Sequence, residues 1–262
     1  MRSIRTVNIT LAESIVPNGA NKPLKVLGED GNWYFAKLRG AERMGPVAFF
    51  RELSISKLAS EFNLHTPEPV EIVIKPELLP TCLGKDFWQL VKDSIGSNYG
   101  TALIDRSFEA QPVFLKARKQ MIPRLANLYA FDALTDNVDR NEKKPNCLMD
   151  ESDNLWLIDH ELAFAFVHHL FGAPPDPVKP SVEILKSHLA FPFLANKLVD
   201  FDVYCGKLEM LPEDFWDQFY SIVPAVYKNG DTDNQIQKIK RHFEVLKNSH
   251  ILLAQHLKTS IQ

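Results

Sequence analysis

The tightest constraint on the fold is residues 131–161, FDALTDNVDRNEKKPNCLMDESDNLWLIDHE, where a helical run gives way to a polar loop and then to a short hairpin. Cys147-Leu148-Met149 and Leu155-Trp156-Leu157-Ile158 read as its strands, with the turn formers Asp150 to Asn154 between them. Antiparallel strands that start and stop together place the residue before the first, Asn146, beside the residue after the second, Asp159, near the loop that carries Asp139. Two acids and an amide converging on one point are hard oxygen ligands suited to Mg²⁺. A solvated loop whose Asp and Asn side chains only shape turns fits the same residues, and both readings stand at this point.

A chain of 262 residues suits one globular unit or two lobes sharing a cleft. With 45% hydrophobic and 24% charged residues, the composition is that of an ordinary soluble protein. No apolar run reaches transmembrane length, and the N-terminal residues lack a signal-peptide core, so a cytoplasmic protein without a membrane partner is expected. Cys82, Cys147 and Cys205 form no Cys-x-x-Cys pair and read as reduced thiols. A net charge of -3 offers no basic field for direct nucleic-acid binding.

In chain order, residues 17–23 form a turn-rich loop whose Gly19 could let backbone amides approach a phosphate or could simply make a turn. Leu24–Leu27 and Asn32–Leu38 read as a hairpin around Asp30-Gly31. Alternation puts Phe35 and Lys37 on one face, so the lysine reaches either solvent or a cleft. The spacing predicts a helix over 46–62, with Ala48, Ile55, Leu58, Ala59 and Phe62 on one apolar arc and Glu52 at its edge. A carboxylate there is either solvated or paired, and Lys37 is the nearest candidate cation. Val70–Ile74 and Phe87–Val91 read as strands flanking a proline loop, and Asp93–Gly100 as a polar hinge to a helical remainder. The expected division is a sheet-rich lobe, 1–93, and a mainly helical lobe, 94–262. Helical periodicity returns over Gln120–Asp136 and in a long amphipathic helix through Ile236, Ile239, Phe243, Leu246, Leu253 and Leu257. His168 and His169 are adjacent, point in different directions and read as structural.

With Lys37, Glu52, Asp139, Asn146 and Asp159 in this order, the sequence resembles the HipA-like kinases, a bacterial branch of the protein-kinase-like fold. The likeness is strongest in DNVDRNEKKPN followed by LWLIDH, and next in YFAKLRG followed by FFRELSISKLASEF. It implies an α+β, two-lobed fold that uses ATP and Mg²⁺. It assigns Asp139 to the acceptor hydroxyl, Asn146 and Asp159 to the metal, Lys37 to the α- and β-phosphates, and Glu52 to holding Lys37. The Gly19 loop resembles the phosphate-covering loop, and Gly96-Ser97 a Gly-Ser turn of the family.

The pattern departs from the eukaryotic-type kinases: no full G-x-G-x-x-G run is present, the Asp139 to Asn146 gap is longer, and His160-Glu161 stands where Phe-Gly would be. Asp136 is a second acid just upstream of Asp139, which is preferred because Arg140 follows it. The resemblance implies a phosphotransferase acting on a hydroxyl acceptor, with protein serine or threonine favoured. A lipid or small-molecule kinase of the same fold, and an inactive nucleotide-binding scaffold, are the alternatives. A regulatory protein partner, as in toxin–antitoxin pairs, is compatible with the family, and no residue identifies one.

Overall fold

Strands whose apolar residues alternate must hide one face, and the N-terminal strands do so by closing on themselves. The computed structural model describes residues 1–16, 22–116, 120–168 and 175–262, so the Gly19 loop and His169 lie outside the described residues. In chain order come β1 (Arg5–Ile15), β2 (Leu24–Gly28), β3 (Trp33–Lys37), α1 (Pro46–Glu61), β4 (Pro69–Ile74), α2 (Trp88–Lys92) and β5 (Gly96–Ala102). The strands form a closed barrel in the order β1-β2-β3-β5-β4, sealed by a parallel pairing of β1 with β4. Val7, Leu24, Val26, Tyr34, Ala36, Val70 and Ile72 belong to its apolar cluster.

Three expectations change here. The sequence reading assigns no element to Arg5–Ile15, because register shifts after Ile9 and Ala12 break the alternation that marks β1, leaving Leu11 exposed and Ala12 buried. Phe87–Val91, expected as a strand, carries α2 instead: the Val91 N–H bonds the Phe87 carbonyl at 3.0 Å, and both side chains join Leu78 and Cys82 in the barrel cluster. The intervening loop holds a 3₁₀ turn, Pro76–Cys82.

The polar stretch 93–100, expected as a hinge, contains most of β5, which lies between β3 and β4. Its weak strand propensity is overridden by tertiary needs. Buried Asn98 accepts from the Arg39 N–H at 2.9 Å and donates to the Ser94 and Gly96 carbonyls at 2.8 and 2.9 Å. At Gly100 an added Cβ would come within 2.3 Å of Ile72 Cγ1. The expected boundary at 93/94 thus cuts ahead of the barrel's last strand, and we place it after Ala102.

Helix α1 is buried on nearly every side from Ala48 to Ala59, which exceeds the single apolar arc expected. Its Phe49 ring meets Tyr99 of β5 and Tyr227, and its Phe50 ring meets Phe219. The rest of the chain is β6 (Phe108–Glu109), α3 (Pro112–Lys116), α4 (Met121–Leu134), β7 (Cys147–Met149), β8 (Leu155–Leu157), α5 (Val182–Ser187), α6 (Phe191–Leu194), α7 (Asp202–Cys205), α8 (Lys207–Met210), α9 (Phe215–Ile222) and α10 (Gly230–Ser260). β7 and β8 pair antiparallel, with the unforeseen β6 as a third strand. Helix α10 opens with a capping box between Asn229 and Thr232 and breaks at Ser249. It packs against α4 and α7 around one large core that also takes in α1. The three cysteines are free and buried. No helix among the described residues is long and apolar enough to cross a membrane.

Candidate active site

The pleat of β3 decides where Lys37 goes: Tyr34 and Ala36 are buried in the barrel, while Phe35 and Lys37 take the outer face. That face lines a cleft, and at its end Lys37 meets α1 and the residues that follow β8. Lys37 Nζ bonds Glu52 Oε1 of α1 and, at 2.8 Å, Asp159 Oδ1. Glu52 is 2% exposed, and the same oxygen accepts the His160 N–H at 2.9 Å. Arg51, one residue earlier, donates to the Glu161 carbonyl at 2.5 Å, so α1 is tied twice to the chain following β8.

Asn146 and Asp159 bracket the hairpin with φ of +44° and +59°, left-handed conformations that Asn and Asp tolerate better than most residues. Asn146 Nδ2 donates to the Asp139 carbonyl at 2.8 Å and to Asp139 Oδ2 at 3.1 Å. Lys144 Nζ bonds Asp139 Oδ2 and lies 3.7 Å from Asp159 Oδ2, standing between the two acids. Lys37, Glu52, Lys144, Asn146 and Asp159 form the polar end of a cleft of about 610 Å³, whose walls include Val16, Phe35, Leu103, Ile104, Leu148 and Leu157. Such a cleft suits a ligand with a flat apolar end and an anionic end.

A family model for HipA-like kinases matches residues 11–171. The chain belongs to the HipA-like kinase family. Among solved structures it is similar to the Helicobacter pylori proinflammatory kinase CtkA, with 12% identity and a TM-score of 0.54 over 98% of this chain and 99% of that one. It is also similar to the Golgi casein kinase, with 10% identity and a TM-score of 0.50 over 99% of this chain and 74% of that one. These likenesses give the α+β, protein-kinase-like fold. No curated protein matches the chain. Family membership makes it a kinase-type phosphotransferase.

In this HipA-like kinase the charges of the cleft hold one another in place. Burial disfavours a charged Lys37, but Glu52 and Asp159 outweigh it and keep its pKa above the ordinary value. Burial likewise opposes an ionised Asp159, yet Lys37, with Lys144 behind it, brings that carboxyl down to about 2. Among the described residues no three of His, Cys, Asp and Glu converge as a metal site. The hard oxygen donors that a cation could meet here are instead the carboxylate of Asp159 and the amide carbonyl of Asn146, whose nitrogen is spent on Asp139. The ammonium of Lys144 between Asp139 and Asp159 shows that this spot accepts positive charge, so hard oxygen donors and electrostatics both fit a divalent cation.

Several supporting residues escape a reading of motifs. Asp132 of α4 is 2% exposed and accepts from Arg140 Nε at 2.6 Å, His188 Nε2 at 2.8 Å and Asn137 Nδ2 at 2.8 Å. Arg140 then reaches the carbonyls of Pro145 and Asn146, joining both ends of the loop from Asp139 to Asn146. The Ala190 N–H bonds His188 Nδ1 at 3.0 Å, which leaves Nε2 as the donor to Asp132. The available signal was Asp132 itself, an acid inside the apolar run of a helix, which demands a partner. Lys144, in a Lys-Lys pair of a polar loop, gave none.

Other candidates fall elsewhere. Asp136 lines a separate cavity of about 250 Å³. Gly96 opens β5 with φ of +103°, and Ser97 donates to Glu71 at 2.6 Å, its oxygen lying 3.2 Å from the Tyr227 hydroxyl; neither lines the cleft. His168 ends the 3₁₀ turn Ala165–His168.

Proposed function

We propose that this chain transfers the γ-phosphoryl group of ATP, with Mg²⁺, to a hydroxyl, and that the acceptor is a serine or threonine side chain of a protein. The observation that carries this reading is the single ammonium of Lys37 shared by Glu52 of one lobe and Asp159 of the other. A solvated loop does not require that arrangement. Phosphoryl transfer asks a protein chiefly to position groups and to neutralise charge. Lys37 binds phosphate oxygens, and Glu52 fixes where its ammonium sits. Asn146 and Asp159 hold the cation, which when bound offsets the negative charge of the phosphates. Asp139 orients the acceptor hydroxyl and takes its proton as the oxygen bonds to the γ-phosphorus and the ADP oxygen leaves. Lys144 steadies the Asp139 carboxylate. We assign these roles to Asp139 rather than Asp136 because only Asp139 bonds cleft residues.

The protein acceptor rests on the family, and a lipid or small-molecule acceptor is the rival within it. An inactive scaffold would not need all five polar groups. The test is incubation with labelled ATP and Mg²⁺, comparing the wild type with Asp139→Ala and Asp159→Ala. Label transferred by the wild type alone supports the reading; equal labelling in all three ends it. Mass spectrometry of the labelled product then separates a phosphorylated serine or threonine from other acceptors.

A further inference from the structure

Asp136 is the acid beside the catalytic loop that the cleft does not use. It adopts φ of +46° and lines the second cavity with Val138, Phe166, Pro177, Lys179 and His242. One wall of that cavity is therefore the chain leading into Asp139, and another is the chain that follows Asp159. The half-buried Asp136 carboxylate accepts a hydrogen bond from the Phe166 backbone and has no ion pair among the described residues. Burial raises its pKa, the sign of a carboxylate short of compensating charge. The Phe166 ring lies flat on the His242 ring, with centroids 3.9 Å apart and planes 8° apart. His242 Nε2 donates to the Leu134 carbonyl at 2.9 Å, and burial brings its pKa down to about 4, so at neutral pH the ring carries no charge to repel a cation. Asp176 adds a second acid to the walls and Lys179 an exposed base, leaving the lining net acidic.

We propose that this cavity is an acceptor-recognition subsite that takes an arginine side chain of the protein substrate, its guanidinium on Asp136 and its stem and flat face on Phe166. The inference rests on the reading of the cleft as a site acting on a protein hydroxyl. A planar guanidinium pairs with a carboxylate and stacks on an aromatic ring at once, which an ammonium does less well. Asp136 lies three residues before Asp139. Val138, the residue before Asp139, lines the cavity, so the recognised arginine flanks the phosphorylated serine or threonine.

Binding without ATP tests this independently of transfer. Fluorescence anisotropy is measured for serine peptides in which one arginine is walked through the flanking positions, against a parent with alanine throughout. The proteins are wild type, Asp136→Asn, whose asparagine accepts the left-handed backbone, and Lys179→Glu on the exposed rim. In the wild type one arginine position binds about tenfold tighter than the parent, as a charge-assisted pair allows. Asp136→Asn loses that preference while melting at the wild-type temperature, and Lys179→Glu enlarges it. Equal affinity of arginine and alanine peptides at every position, or a preference that survives in Asp136→Asn and ignores Lys179→Glu, overturns the proposal. An arginine preference in a protein that transfers no label would instead sink the catalytic reading and with it the acceptor role, leaving only an arginine-binding cavity.

Discussion

Lys37 and Asp159 stand 122 residues apart in sequence and 2.8 Å apart in space, joined by one ammonium–carboxylate hydrogen bond. The first comes from the outer face of a barrel strand and the second from the end of a hairpin in the other lobe. The cleft is thus spanned by the groups proposed to do its chemistry.

Replacing Lys37 by methionine leaves Glu52 as a buried charge without its cation. We expect a loss of about 3–5 kcal/mol in urea unfolding and a fall in phosphoryl transfer of at least about a hundredfold. Adding Glu52→Leu should recover most of the stability and none of the transfer. Recovery of both would show that the pair serves folding alone.

Lys144→Ala leaves the Asp139 carboxylate held by Asn146 without its cation and removes a charge beside Asp159. Transfer should slow by about 10- to 100-fold in kcat, with a smaller change in the KM for ATP. Steady-state kinetics over an ATP series reads the split, and a change confined to KM would place Lys144 in nucleotide binding instead.

Acid should destabilise the protein in two stages. Burial lowers the pKa of His242 to about 4 and that of His160 to about 3 in the fold, against about 6.5 unfolded, so the unfolded chain takes up protons first and stability is lost as pH falls from about 6.5 towards 3. Burial opposes the Asp132 carboxylate, but Arg140 and His188 hold its pKa at about 2; its contribution is complete above about 4 and disappears as pH falls to 2. Unfolding free energies measured from pH 7 to 2 should show both limbs, and His242→Phe should make the first shallower, leaving the share of His160, without changing the second. A variant whose first limb is as steep as the wild type's would contradict the assignment to His242.

Gly100→Ala drives a methyl group into Ile72, whose Cγ1 would lie 2.3 Å away across β4 and β5. The expected cost is about 1–3 kcal/mol in thermal or urea unfolding, part of it returned by Ile72→Val. No loss in the single variant would mean that the strands separate freely there.

The hairpin that brackets Asn146 and Asp159 was legible because turn formers interrupt two short apolar runs, and the helix of Glu52 because Ala48, Ile55, Leu58, Ala59 and Phe62 recur at helical spacing, although burial on nearly every side blurs its apolar face. Strand β5 was not, since Gly, Ser and Asn carry little strand propensity and earn their place only through Asn98's three hydrogen bonds and the contact of Gly100 with Ile72. α2 misled for the opposite reason: five residues are too few for periodicity to separate helix from strand. At the site, Lys37 and Glu52 could be paired by pattern, whereas Asp132, Arg140 and His188 meet only through tertiary folding. Buried polar networks of that kind leave no fixed spacing in a sequence.

The packing of Phe49 and Phe50 against Tyr227 and Phe219 has a consequence for the order in which the chain is made. A nascent chain emerging through residue 161 already carries Lys37, Glu52, Asp139, Asn146 and Asp159, yet the rings that wedge the helix of Glu52 against the barrel have still to be synthesised. The machinery is written early and fastened late, so the growing polypeptide gains a fully braced site only as its last third leaves the ribosome.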